Sequence, residues 1–148
     1  MNKKVGILTF SLFVAILIAN IPASSSFAEK QVQSSKTNPI YIIQCGRQSC
    51  FVPCQKVILK GDTVTWVNLD RTDHMVLSGS GQHGPDGQFS SPIIHQHQTY
   101  SHKFDRTGSF VYFDLLHTYT QGVVIVSTSM DSSYVRLQQS FFSDWCSR

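Results

Sequence analysis

The chain has 148 residues, 12 of them basic and 9 acidic, with a formal charge of +3 at neutral pH. Apolar residues make up 41% and charged residues 14%, a balance that suits one packed domain. It excludes an acidic disordered tail and a basic stripe for nucleic acid.

At the N-terminus, Lys3 and Lys4 precede a run from Val5 to Ile18 that is apolar apart from Gly6, Thr9 and Ser11. Small residues follow, and Ser26-Phe27-Ala28 fits the small-x-small rule for signal peptidase. Residues 1–28 are therefore expected to be a signal peptide cleaved after Ala28. The alternative is an uncleaved membrane anchor, since Val5 to Ile21 approaches the roughly 20 residues of a membrane span. Either way the remainder is exported, to the extracellular or cell-envelope space. Cleavage leaves 120 residues with 10 basic and 9 acidic side chains, one domain and not two.

Residues 29–38 are polar and aperiodic and read as a flexible leader ending at Pro39. Short apolar runs follow in residues 39–128: Ile40–Gln44, Phe51–Leu59, Thr63–Val67, His74–Ser78, Tyr100–Phe104, Ser109–Asp114 and Val123–Ser127. Val, Ile, Thr, Phe and Tyr dominate them, with turn signals at Gly61-Asp62, Asp105–Gly108 and Gly122. About seven strands so spaced predict an all-β, antiparallel sandwich or barrel. Gly79–Pro92 reads as a glycine-rich loop with a solvated His83. Tyr100–Phe104 and Ser109–Asp114, joined by a turn, are expected to form a hairpin. In the tail, residues 129–148, Asp131 or Ser132 suits a helix cap. Tyr134, Leu137, Gln138, Phe141 and Trp145 recur at helical spacing. A short amphipathic helix packed on the sandwich is predicted, with peripheral membrane or partner docking as the alternative use of that stripe.

Cys45, Cys50, Cys54 and Cys146 form an even set in an exported chain and read as two disulfides. Of the three connectivities, one closes a small loop with Cys45–Cys50 and ties the tail to the sheet with Cys54–Cys146. A soft metal site from Cys45, Cys50 and Cys54 competes, although it has no Cys-x2-Cys pair.

Two strand-like runs each place a histidine near one end, His74 and His117, and Asp114 lies three residues before the second. Two imidazoles and a carboxylate form an adequate site for a divalent metal. His95 and His97, in the turn before Tyr100, are candidates for an additional imidazole ligand. His102, in mid-strand, reads as a sheet residue.

Gly108-x-Phe110-x-Tyr112-Phe113-Asp114-x-x-His117, continued by Gly122-x-Val124-x-Val126, follows an upstream Trp66-Val67-Asn68-x-Asp70-x-x-x-His74. This pairing resembles the cupredoxins, the small copper proteins of β-sandwich fold, and in particular exported archaeal members. Ser49–Pro53, Gly84–Phe89 and Phe104–Gly108 resemble segments of the same group. The resemblance implies a Greek-key sandwich, one copper ion, electron transfer and a redox partner. It places His74 and His117 on the family's histidine ligands, and Asn68 on an asparagine beside the site. Asp114 falls where the family has its cysteine ligand, and Thr120 where it has the axial methionine. Type 1 copper sites owe their colour and fast electron exchange to a thiolate. The expectation is therefore a non-blue His74–Asp114–His117 site, with Thr120 as a further candidate. Such a site would serve electron transfer or the holding and delivery of Cu(II) to a copper-exchange partner. A metal-free interaction module is the alternative. A mononuclear metal enzyme is the weakest reading, because no substrate pocket is marked.

Overall fold

The computed structural model describes residues 37–146, except the side chains of Asp144 and Trp145. The expected signal peptide, residues 1–28, and residues 29–36 of the expected leader lie outside the described residues. Nine strands and one helix follow in order: β1 Thr37–Cys45, β2 Gln48–Val52, β3 Gln55–Leu59, β4 Thr63–Asn68, β5 Val76–Ser80, β6 Gly84–Ser90, β7 Thr99–Lys103, β8 Gly108–Asp114, β9 Gln121–Ser127 and α1 Ser133–Cys146. One sheet has the order β2-β1-β4-β7 and the other β3-β9-β8-β5-β6. The architecture is the expected cupredoxin-like β-sandwich with a C-terminal helix. The sheets are not purely antiparallel as expected: each is mixed, because β1 runs parallel to β4 and β3 parallel to β9. No helix among the described residues is long and apolar enough to cross a membrane.

Alternation builds the core. In β4, Val64, Trp66 and Asn68 are buried while their neighbours are only partly so, as a strand with one inward face requires. Trp66 is the hub: it stacks on Tyr100 at 5.6 Å and meets Tyr112 edge-on at 5.2 Å. Phe51, Phe89, Phe104 and Phe110 complete the layer between the sheets. β9 behaves differently, being buried from Gly122 to Ser127. Val124 and Val126 enter the main core, while Val123 and Ile125 pack under Phe142 of α1. A strand covered on both faces reads as a continuous apolar run, which explains Val-Val-Ile-Val.

Four further expectations are corrected. The run Phe51–Leu59 is two strands in different sheets. Pro53, which has no amide proton for a ladder bond, stands where the chain crosses between them. Tyr100–Phe104 and Ser109–Asp114 form no hairpin: β7 pairs with β4, and β8 lies between β5 and β9. The Asp105–Thr107 connection is an arch between sheets, so Phe104 and Phe110 meet edge-on across the core, their ring centroids 5.1 Å apart. The glycine-rich loop contains β6, which pairs with β5. At Gly79 (φ +117°) any Cβ would collide with the Gly84 carbonyl across that pair, so the glycine marks a close strand approach and not a loose loop. Finally, Thr37 and Asn38 belong to β1 and not to the leader.

The helix is capped by Ser132, whose Oγ accepts the Val135 amide at 3.2 Å. Its inward face is Val135 and Phe142, while Tyr134, Leu137 and Phe141 are exposed. The stripe chosen from spacing thus points outward. The two stripes are only one residue out of step, and the packing of Phe142 on Val123 and Ile125 of β9 decides between them. Both disulfides form as Cys45–Cys50 and Cys54–Cys146. No cysteine among the described residues is free, so the soft thiolate site is excluded.

Candidate metal centre

Strand pairing brings the two histidine segments together. Val76 in β5 is paired with Asp114 at the end of β8, which sets His74, two residues earlier, beside that carboxylate. His74 is fixed by an isolated antiparallel bridge to Ile94: its amide donates to the Ile94 carbonyl at 3.2 Å, and the Ile94 amide returns the bond at 2.7 Å. After β8 the chain makes a tight loop. The His117 amide donates to the Asp114 carbonyl, the Thr120 amide to the His117 carbonyl, and the Asp114 amide to the Thr120 carbonyl. This loop turns His117 back toward Asp114.

Asp114 divides its two oxygens. Oδ1 accepts the amides of Met75 and Leu116, each at 3.0 Å; the second is an Asx-turn, in which a carboxylate binds the backbone two residues on. Oδ2 meets His74 Nδ1 at 2.6 Å and His117 Nδ1 at 2.7 Å. The imidazole centroids are 4.8 Å apart. Asp114 and His74 are fully buried, whereas His117 is 35% exposed. Burial pushes the Asp114 carboxyl up, but the bonds from His74, the Met75 amide, His117 and the Leu116 amide outweigh it. They hold the group below the ordinary carboxylate range. Asp114 is therefore an anion in the interior, acceptor-only, facing two ring nitrogens.

The donor atoms of His74, Asp114 and His117 all lie within 4.8 Å of one another. Two imidazole nitrogens and an anionic oxygen directed at one point are a fitting donor set for a borderline divalent ion such as Cu(II). An ion held there would take the place of the two Nδ1 protons.

Sequence reasoning missed the shell behind His74. Its Nε2 lies 3.2 Å from the Thr72 hydroxyl and 3.4 Å from Asp70 Oδ2, the carboxylate–imidazole arrangement that orients a metal-binding histidine. Asp70 is 5% exposed. Burial raises its pKa, but the Ser49 hydroxyl, the Arg71 amide, His74 and the Thr72 amide together lower it below the usual value. The signal was present, since Asp70 stands at i−4 from His74. Only tertiary packing assigns it a role.

Among the described residues, the Asn68 side chain makes no hydrogen bond to a triad member. It donates to the Thr72 and Ile94 carbonyls and accepts the Asp70 amide, so it braces the loop that presents His74. The Thr120 hydroxyl donates to the Ser49 carbonyl at 2.8 Å. His95 is exposed and bound to Asp73 through Nδ1 at 2.8 Å. His97 is also exposed; it sits at φ 64° and gives its amide to the Asn68 carbonyl. The hairpin that was expected to bring these two histidines to Asp114 does not exist, and the triad forms without them. His102 stacks on Phe89, and exposed His83 meets Ser80.

No protein-family model matches the chain. Amicyanin from Paracoccus denitrificans is 28% identical over 108 residues, 73% of this chain and 78% of that protein. Among solved structures, a purple cupredoxin from Nitrosopumilus maritimus matches with a TM-score of 0.56 and 26% identity, covering 61% of this chain and 99% of that one. Amicyanin from Paracoccus versutus matches with a TM-score of 0.51 and 26% identity, covering 63% and 83%.

Proposed function

We propose that the chain, which is similar to amicyanins and to a purple cupredoxin, serves as an exported copper protein of the cupredoxin family whose ion is held by His74, Asp114 and His117 without a thiolate. As a cupredoxin it binds one copper ion and works by electron transfer with a redox partner, not as an enzyme. Bound copper supplies the one-electron chemistry; the side chains supply position and charge.

One observation carries the ligand assignment: the Nδ1 atoms of His74, 40 residues before Asp114, and of His117, three residues after it, converge on a single oxygen of that buried carboxylate. His74 is locked from behind by Thr72 and Asp70, so it forms the rigid wall. His117, partly exposed, is the edge through which electrons or ions pass. Export is supported by the N-terminal pattern and by two disulfides, which persist in oxidising compartments.

A second use of the same site is Cu(II) holding or delivery. Asp114 and Thr120 stand where a thiolate and a thioether would suit Cu(I), and a hard anionic oxygen favours Cu(II). Titration of the purified protein with Cu(II), followed by visible absorption and paramagnetic resonance, tests the assignment. One equivalent bound with nitrogen and oxygen parameters and no intense thiolate band is the expected result. A strong blue or red chromophore overturns the ligand set. Absence of uptake leaves the metal-free module in its place.

A further inference from the structure

Next to the triad lies a cavity of about 390 Å³, walled by the β1–β2 turn, the Asp70–Thr72 segment and the loop after β8. The Cys45–Cys50 disulfide closes the first of these walls. Arg47 and Arg71 both line the cavity. Neither guanidinium has a carboxylate within 4.0 Å among the described residues. The one acidic side chain on the wall, Asp70, is turned inward: its Oδ1 accepts the Arg71 amide and its Oδ2 the Ser49 hydroxyl. Among the described residues the cavity lining thus holds two arginines without a carboxylate partner, beside the partly exposed His117. Leu116 and Tyr119 add apolar surface.

We propose that this cavity is a binding site for a small dicarboxylate, held by Arg47 and Arg71 beside His117. A guanidinium is a planar fork that matches a carboxylate in two parallel bonds, and two forks in one cavity call for two carboxylates. Apolar wall beside them suits a short carbon skeleton better than a compact inorganic oxyanion. A ligand seated there would cover the only exposed member of the triad and set the electrostatic field at that edge. The site is built from protein groups alone, so it stands or falls separately from the copper assignment.

The test is a titration of succinate into the metal-free protein, followed by the NMR signals of the arginine Nε–H groups and of the Arg71 and Thr118 amides. Saturable shifts with a dissociation constant on the order of 1 mM are expected, with acetate and inorganic phosphate at least about tenfold weaker. Both arginines are exposed, so Arg47→Gln and Arg71→Gln retain a polar surface, and circular dichroism confirms their folding. Each replacement is expected to weaken succinate about tenfold, and the double replacement to abolish saturation. Linear, non-saturating shifts overturn the proposal. So does phosphate binding as tightly as succinate, or succinate binding unchanged in the double variant.

Discussion

Replacing Asp114 tests the hub on which the site is built, and it does so without metal. In Asp114→Ala three donors lose their acceptor: the Met75 and Leu116 amides and His74 Nδ1. His117 is 35% exposed and turns to water. Each buried donor left unsatisfied costs about 1–3 kcal/mol. The two amides are only part-buried, so the lower end applies to them, and the sum is about 3–5 kcal/mol. Asp114→Asn behaves differently. Its oxygen stays on the two amides, while its NH2 group donates to both Nδ1 atoms once the imidazoles carry their protons on Nε2. For His74 that proton meets Asp70 and Thr72, so the cost falls to about 1 kcal/mol. Urea unfolding of the metal-free variants reads the difference. With an m-value of roughly 1.5 kcal/mol per molar, the alanine midpoint drops by about 2–3 M and the asparagine midpoint by less than about 1 M. Equal shifts for the two variants, or an alanine shift under about 0.5 M, would refute the hydrogen-bond account.

Acid behaviour follows from the same carboxylates. Asp114 and Asp70 both have lowered pKa values in the fold, so their stabilisation is complete above the unfolded value near 3.9. It is lost as pH falls through the folded values. Melting temperature of the metal-free protein is expected to hold down to about pH 4 and then fall, less steeply in Asp114→Asn; a flat profile down to pH 2 contradicts this. Asp114→Cys restores sulfur between the two imidazoles and is expected to give a coloured copper-loaded protein; a colourless product with a free thiol shows that the three positions do not converge on the ion. His95→Ala and His97→Ala are expected to leave the Cu(II) resonance parameters unchanged, because neither residue is among the converging donors; a shift in either spectrum adds that histidine to the site. Voltammetry is expected to show a low reduction potential and copper loss on reduction. Reversible waves with retained copper return the protein to ordinary electron transfer.

The sandwich was legible because inward alternation in β4 and the continuous run of β9 are written into residue order. The convergence of His74, Asp114 and His117 was legible because the motif they form spans strand ends. What failed was long-range: a turn at Asp105–Gly108 looks the same whether the next strand pairs with the last or crosses to the other sheet. The outward stripe of α1 failed for a related reason. Tyr134, Leu137 and Phe141 share helical spacing as well as Val135 and Phe142 do, and only the docking of the helix on β9 chooses. Asp70 carried a local signal, four residues before His74, but its bond to Ser49 joins distant segments and could not be read from sequence.

The register between β5 and β8 also governs when the site can exist. A chain that has not yet zipped Val76 against Asp114 holds His74 on one free segment and the Asp114–His117 fragment on another, so it offers an ion no complete chelate. On the proposed ligand set, occupancy would be a property of the assembled sandwich, and loading would follow folding. In return, an ion that binds only the folded form clamps those two strands together; a hundredfold excess over its dissociation constant adds about 2.7 kcal/mol to the folded state. The metal would act as a latch closed from outside on a frame that has already formed.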